Sequence, residues 1–386
     1  MVINKIISFL QKNILEIQSS RHLQIYGFFL CCIYALTAFF WRNSEIRQPY
    51  MCWTFFQSCQ GYSQFIHQYF KVFLIFTIVL SMAGAILFLK NKIRLAYPIL
   101  VILFLLKYML HISDYRMMGN YHYMHHVVVL LFLFIPEKLN TLKLFIVLFY
   151  VSAGLLKVNP EWLSGAALNT TLPFGPKVTQ ILLFLVLYLE FIIVWFLLLP
   201  WKRFYQFALL SLFCFHIFSF FIVGYFYPLV MFCILTIFIL DRSAFSFPVS
   251  WFGRLVMTVF VLCQLYPLLF ETHSDLTGRG RLISLNMFDA STNCDTRYYI
   301  EKQNMTVEYA PDFTAMAARI RCDPLIVYHH IQRTCKNLSQ SADFIDMDID
   351  HQIKRSSHFE IQEQMTFLKV CTRPLKISIL GRIWQP

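Results

Sequence analysis

The sequence predicts an all-α polytopic membrane bundle of about nine transmembrane helices, followed by a small C-terminal α+β extracytoplasmic domain. Hydrophobic residues make up 58% of the 386 residues and charged residues only 14%, whereas soluble domains average about 25% charged residues. The acids are also unevenly distributed, because 14 of the 21 lie from Glu271 onward. This shift predicts a membrane bundle over residues 1–271 and a more polar, disulfide-capable domain over residues 272–386.

Nine apolar runs precede the polar domain. They lie at about 24–41, 70–90, 93–112, 122–136, 141–158, 178–200, 203–224, 227–241 and 253–271. About 20 residues are needed to span a bilayer as a straight helix, so the fourth and eighth runs are short for a span. The first twenty residues mix charged and apolar positions and are typical of an amphipathic leading helix.

The distribution of lysine and arginine predicts the orientation. Alternate loops are enriched in these residues, among them the segment that carries Lys138 and Lys143. Such loops face the cytoplasm under the positive-inside rule. With nine spans, the N-terminus is then cytoplasmic and the C-terminal domain is periplasmic, lumenal or extracellular. The net charge of +12 is spread over short loops, so membrane lipid is the expected partner and no nucleic acid is expected.

Six cysteines fall outside the apolar runs: Cys52, Cys59, Cys294, Cys322, Cys335 and Cys371. An even number of cysteines facing an oxidising compartment predicts disulfides. Cys52 and Cys59 share one loop and form a natural pair, while the remaining connectivity stays open.

The predicted outer domain mixes helices and strands. Residues 312–321 and 324–335 are typical of short helices, and residues 305–309 and 365–372 alternate as strands do. Four aspartates lie between Asp343 and Asp350. A calcium loop needs a glycine turn and a terminal glutamate in register, and both are missing, so a solvated acidic loop is predicted.

Ionisable side chains occur within or at the outer ends of several spans. The candidates are Asp114, Asn120, His122, Tyr123, Lys157, Glu190 and His216. Lys157 has two interpretations: its ammonium extends to the water at the interface, or it lies desolvated in the bundle, where a neutral amine acts as a base. Glu190 and His216 admit a purely structural role as hydrogen-bonded side chains.

The spacing His122-x-x-His125-His126 places three histidines on one helical face and resembles one histidine box of the membrane desaturases and hydroxylases. Those enzymes bind two irons through several such boxes. This chain has one box, so no metal is expected, and a metal-dependent membrane oxygenase is kept as a minor alternative.

Three motifs occur in order between residues 20 and 270. They are Asn120-x-His122-Tyr123, then Ala153-Gly154-x-x-Lys157-x-x-x-x-Trp162-x-x-Gly165, and then Phe215-His216 followed by Gly224-x-Phe226-x-Pro228-Leu229-x-Met231. Together they resemble the vitamin K-dependent γ-carboxylase family and its bacterial relatives, the horizontally transferred transmembrane (HTTM) domain. The chain departs from the family at Leu156, where a second lysine is usual, and at Tyr121, which separates Asn120 from His122.

The resemblance implies a quinol-linked carboxylation, with reduced vitamin K or another quinol as cofactor and O2 and CO2 as co-substrates. Lys157 would deprotonate the quinol, and His122 would orient or stabilise the anion. Reaction with oxygen forms an epoxide and a base strong enough to remove a glutamate γ-proton, after which CO2 adds. The implied pocket residues are Asp114, Asn120, Tyr123, Trp162, Glu190 and His216, and a peptide or protein on the outer face is the implied substrate.

A second class of function is open. A non-enzymatic assembly or export subunit would keep the membrane fold, bind a partner through the outer domain, and use Lys157 only as an interfacial residue.

Overall fold

The computed structural model describes residues 2–43, 59–113, 119–166, 168, 174–246, 250–270, 274–280, 283–285, 292–303, 305–313, 322–355, 360–378 and 382–386. The chain divides into two compact units. Of the described residues, the bundle unit contains those of 2–43, 59–154 and 185–261, and the C-terminal unit contains those of 155–184 and 262–386.

Long apolar helices dominate the described residues. They are α1 (Val2–Ser19), α2 (Arg21–Asn43), α3 (Cys59–Leu89), α4 (Ile93–Ser113), α5 (Asn120–Phe134), α6 (Lys138–Leu156), α7 (Pro160–Ser164), α8 (Pro176–Phe191), α9 (Lys202–Val223), α10 (Phe226–Leu240) and α11 (Trp251–Phe270). A 3-10 helix, Ile193–Leu198, continues α8. In this described part of the chain, α2, α3, α4, α6, α8 with its 3-10 continuation, α9 and α11 supply seven candidate spans. The predicted mostly helical architecture is confirmed, and these seven helices are long and apolar enough to span a membrane, as the sequence predicts.

The short fourth and eighth runs correspond to α5 and α10, which have 15 residues each. At a rise of about 1.5 Å per residue, such a helix is shorter than the hydrocarbon core of a bilayer. The predicted number of nine spans is therefore not established, although both helices form where the sequence predicts them.

Buried tyrosines connect neighbouring helices of the bundle unit. The Tyr26 hydroxyl on α2 donates to the Ile234 carbonyl on α10 at 3.2 Å, and the Tyr97 hydroxyl on α4 donates to the Leu133 carbonyl on α5 at 2.7 Å. Because hydrocarbon offers no hydrogen-bond partner, each hydroxyl favours the packing that supplies its acceptor.

Two lysines predicted for a cytoplasmic segment lie buried in the first turns of α6. The Lys143 ammonium is 2.7 Å from the Asp241 carboxylate, which follows α10. Partial burial acts to raise the pKa of Asp241, but hydrogen bonds from Lys143 and Ser243 hold it below its ordinary value. Lys138 contacts Glu16 of α1 at 3.8 Å. These ion pairs fix the ends of three helices relative to one another.

The C-terminal unit contains a disulfide-linked α+β domain. It comprises α12 (Ser274–Thr277), β1 (Thr292–Lys302), β2 (Met305–Tyr309), α13 (Pro324–Leu338), β3 (Phe344–Arg355), β4 (Glu363–Phe367), β5 (Lys376–Ile377) and β6 (Ile383–Trp384). β1 to β4 form an antiparallel sheet in the order β2-β1-β3-β4, and β5 pairs with β6. The small C-terminal sheet and α13 confirm the mixed character that the sequence predicts, whereas residues 314–321 lie outside the described residues.

The prediction of an acidic loop at 343–350 is wrong, because all but the first of these residues belong to β3. Met347 and Ile349 alternate with aspartates and are buried, so the run has the period of a half-buried strand. Asp346 is itself buried and accepts a hydrogen bond from the backbone N–H of Cys371 at 3.0 Å. The four aspartates in this run made the alternation of apolar residues hard to recognise in the sequence.

Two disulfides join elements of this domain. Cys294 on β1 bonds to Cys322, and Cys335 on α13 bonds to Cys371, with Cα–Cα distances of 5.4 and 5.3 Å. The structure thereby resolves a connectivity that the sequence left open. The predicted pair of Cys52 with Cys59 is not described, because Cys52 lies outside the described residues.

Breaking the buried Lys143–Asp241 pair is expected to destabilise the bundle unit. Asp241→Asn leaves the buried ammonium without its counterion, and the expected loss in the free energy of unfolding is about 3 kcal/mol. Unfolding of the purified protein in SDS, followed by circular dichroism, measures this loss. The exchanged pair Lys143→Asp with Asp241→Lys should recover part of it, and equal stability of Asp241→Asn and wild type would contradict the assignment.

The C-terminal α+β domain is expected to lose stability in mild acid because of His351. Its Nδ1 accepts from the Thr296 hydroxyl at 2.8 Å and its Nε2 lies 3.3 Å from the Cys322 carbonyl. Burial lowers the pKa of His351 to about 4. Protonation therefore favours the unfolded state, so stability is complete above about pH 6.5 and falls by up to about 3 kcal/mol towards pH 4.

Hydrogen exchange of β1 and β3 in the full-length protein measures this pH dependence. His351→Gln keeps both hydrogen-bonding functions without a titrating ring, so its pH dependence should be shallower in the same range. Identical profiles for variant and wild type would show that His351 does not cause the effect.

Candidate functional site

The corner after α6 has a defined local structure. The Asn159 side chain caps α7: its Oδ1 accepts from the Trp162 backbone N–H at 2.8 Å, and its Nδ2 donates to the Leu156 carbonyl at 2.9 Å. Pro160 occupies the first turn of α7, where its missing N–H is harmless. Gly165 ends α7 with a φ of 82°, which glycine adopts without strain. Asn159, Pro160 and Gly165 therefore set where α7 begins and ends, which fixes the distance along the chain between Lys157 and Gly165 in the motif.

Lys157 lies inside this corner and is only 3% exposed. Its Nζ is 5.5 Å from the centroid of the Trp162 ring, within the range of a cation–π contact. The indole Nε1 of Trp162 is buried and has no hydrogen-bond partner among the described residues. An amine that extends to bulk water would be exposed, so this burial fits the desolvated interpretation of Lys157.

His122 lies in the first turn of α5 among aromatic rings. It is 1% exposed, and its ring centroid is 5.5 Å from that of Trp41 and 5.9 Å from that of Phe226. Trp41 comes from the end of α2 and Phe226 from the start of α10. Three helices therefore enclose this imidazole in an apolar environment.

Glu190 and His216, predicted for different spans, are both near Tyr150 on α6. The Tyr150 hydroxyl is 2.5 Å from His216 Nε2, and Glu190 interacts electrostatically with Tyr150. Both candidates are at most 1% exposed. The structure thus assembles an acid, a phenol and an imidazole from α6, α8 and α9, with Tyr150 as the member that the sequence analysis did not assign.

Gly154 explains why α8 reaches this cluster. A Cβ atom added at Gly154 would lie 3.2 Å from the Glu190 Cβ and 3.2 Å from the Phe191 ring. The glycine of the Ala-Gly motif therefore allows close approach of two helix backbones, as small residues do in membrane bundles.

The remaining predicted pocket residues are described only in part. Asn120 and Tyr123 are half-buried at the start of α5. Asp114 lies outside the described residues. Because Lys157 belongs to the C-terminal unit and His122 to the bundle unit, their predicted convergence stays a prediction.

A buried cluster that sequence analysis missed links α2, α4 and α5. Lys107 Nζ is 2.7 Å from His125 Nδ1, and the same Nζ is 5.5 Å from the centroid of the Tyr34 ring. His125 belongs to the predicted histidine box, yet its partner is an amine. In the described part of the chain, no group of three or more His, Cys, Asp or Glu side chains is arranged to hold a metal ion. The signal available in the sequence was a lysine in the middle of an apolar run.

Removing the cap of α7 is expected to loosen the Lys157 corner. Asn159→Ala should lower the free energy of unfolding by about 1 kcal/mol and increase labelling of Lys157 by an amine-reactive reagent, read by mass spectrometry. Asn159→Asp retains the capping oxygen and serves as the matched control. Unchanged stability and labelling in Asn159→Ala would rule out this role for the cap.

No protein-family model, curated protein or solved structure matches the chain.

Proposed function

We propose that this protein is a γ-carboxylase-like integral membrane enzyme in which Lys157 acts as general base on a quinol. The observation that carries the proposal is the burial of the Lys157 amine against Trp162. A lysine amine held next to a bound quinol hydroxyl can act as general base towards it. The motif around Lys157, which resembles that of the γ-carboxylases, supplies the choice of reaction.

The surroundings of Lys157 fit a quinol chemically. The Trp162 indole N–H is a buried donor with no acceptor among the described residues, and a quinol oxygen is an acceptor of suitable polarity. The aromatic face of Trp162 offers a stacking surface for an apolar ring. When bound, reduced vitamin K or a related quinol supplies the oxygen-dependent base that generates a glutamate carbanion for CO2 addition.

Each residue then has a defined task. Lys157 takes the proton of the quinol hydroxyl at its Nζ, and His122 supports the resulting negative charge by a hydrogen bond from its ring. The aromatic shell of His122 excludes water, which would otherwise quench strongly basic groups. Tyr150 positions His216 through their 2.5 Å contact. Asp114, Asn120, Tyr123 and Glu190 complete the pocket in this proposal.

The proposed topology has nine spans, with α5 and α10 added to the seven longer ones. The N-terminus is cytoplasmic and the disulfide-linked domain faces the periplasm, lumen or exterior, where a peptide or protein substrate carries the acceptor glutamate. Two disulfides in the C-terminal domain support this side, because disulfides persist in oxidising compartments.

Turnover of reduced vitamin K by the purified protein tests the proposal. Epoxide formation is measured by chromatography. Carboxylation is measured as the radioactivity that labelled CO2 adds to a glutamate-containing peptide. Lys157→Met should lower epoxide formation by about 100-fold or more. Lys157→Arg should be equally impaired, because a guanidinium does not give up its proton at neutral pH.

Lys177→Met is the matched control, because Lys177 is exposed at the start of α8. It should retain the wild-type rate. Full epoxide formation by both Lys157 variants would contradict the role of Lys157 as base. No epoxide formation by the wild-type protein would contradict the proposed activity and favour a non-enzymatic membrane subunit.

A further inference from the structure

A second buried lysine lies in the bundle unit, remote in sequence from the carboxylase-like motif. Lys107 on α4 is 2% exposed, and His125 on α5 and Tyr34 on α2 are fully buried. The Lys107 Nζ lies 2.7 Å from His125 Nδ1, and the Tyr34 and His125 rings meet edge to face with centroids 4.6 Å apart. Three helices thus bring one amine, one imidazole and one phenol into contact.

The contact between the two nitrogens limits how many protons the pair can hold. A hydrogen bond between Lys107 Nζ and His125 Nδ1 requires that one nitrogen offers a lone pair. Two positive charges at 2.7 Å would repel strongly in an apolar interior. The pair is therefore either uncharged or singly charged.

The surroundings favour the uncharged pair at rest. Among the described residues, no carboxylate lies within ion-pairing distance of Lys107, although carboxylates do pair with Lys138 and Lys143. An isolated ammonium in a membrane interior is expensive. The other titratable side chains near the cluster are Cys31 on α2 and His126 on α5, and neither supplies a carboxylate.

The cluster also has unused hydrogen-bonding capacity. The Tyr34 hydroxyl is buried and makes no hydrogen bond within the described part of the chain, whereas the Leu30 backbone lies within hydrogen-bonding range of the His125 ring. A buried polar atom left unpaired is destabilising. The unpaired Tyr34 hydroxyl in an apolar bundle points to a ligand that brings its own polar group.

We propose that Lys107, His125 and Tyr34 form a proton-accepting site for the phenolic hydroxyl of a lipid-soluble ligand. The O–H bond of the ligand breaks, its electron pair remains on the oxygen, and a new N–H bond forms on the Lys107–His125 pair. The singly charged pair then becomes the counterion of the phenolate, and the Tyr34 hydroxyl donates a hydrogen bond to it. Charge is conserved within the site, and no oxidant or reductant takes part.

The ligand class follows from the location. The site is enclosed by α2, α4 and α5. The exposed residues of α4 that flank Lys107 include Ile102, Leu105 and Met109, so a ligand that reaches the site must dissolve in hydrocarbon. It must also carry a weakly acidic proton that an amine can accept. This inference deepens the proposed function, since quinols are phenols, but binding of a simple phenol tests it separately.

Binding of 4-nitrophenol to the purified protein provides the test, because its phenolate absorbs visible light and its phenol form does not. At a pH below the pKa of the free phenol, the Lys157→Met protein should still show the phenolate band on binding. Adding Lys107→Met should abolish the band. A Lys157→Met protein that keeps the phenolate band but loses epoxide formation would show that Lys107 and Lys157 have different roles.

Proton release distinguishes a proton acceptor from a fixed cation. Lys107→Arg carries a permanent charge, so it should bind the phenolate and release one proton per ligand to a weakly buffered indicator. The protein with Lys107 should release none, because the pair retains the proton. Equal release from both proteins would overturn the proposal, as would an unchanged phenolate band in Lys107→Met.

Tyr34→Phe provides a second test of the site, which does not depend on the folding of Lys107→Met. Loss of one hydrogen bond to a charged oxygen should weaken 4-nitrophenol binding by about tenfold or more. Lys177→Met should leave both band and affinity unchanged. An unchanged affinity in Tyr34→Phe would refute the assignment of its hydroxyl to this site.

Discussion

The structure depends on one constraint: a polar group among apolar helices must find its partner within the protein, because lipid provides none. Tyr26 and Tyr97 meet this constraint by donating to carbonyls of neighbouring helices, and Lys143 meets it with Asp241. Each such contact is compatible with few helix arrangements. Apolar packing alone is far less selective in a bilayer, so these scattered polar contacts specify which helices become neighbours.

The same constraint divides the buried lysines into two groups. Lys138 and Lys143 have carboxylates within 4 Å and serve to hold helix ends together. Lys107 instead lies against an imidazole and a phenol, with its Nζ 2.7 Å from His125 Nδ1 and 5.5 Å from the centroid of the Tyr34 ring. The phenol ring attracts a cation but accepts no proton, so it tolerates both forms of an amine. This difference in surroundings underlies the acid–base role proposed for Lys107 and the structural role of Lys138 and Lys143.

Much of the architecture was predictable because length and hydropathy act locally. The apolar runs formed helices, and Cys294, Cys322, Cys335 and Cys371 formed two disulfides within the polar domain. Contacts between distant residues were not predictable: nothing local indicates that Tyr150 meets His216 or that Lys107 meets His125. Lys107 was overlooked because a single charge barely changes the hydropathy of an otherwise apolar run. The aspartates of β3 led to the wrong prediction of a loop for the opposite reason. Their charges dominated the local composition, so the alternation of the buried Met347 and Ile349 was overlooked.

The order of the two disulfides along the chain has a consequence for biosynthesis. Cys294 and Cys322 both precede Cys335 and Cys371 in the chain, and the second bond closes a later, separate loop. Neither bond encloses a cysteine of the other. A chain that is oxidised as it emerges, joining each new thiol to the last unpaired one, arrives at the native connectivity directly. Such sequential oxidation therefore requires no reshuffling of mispaired bridges in this domain.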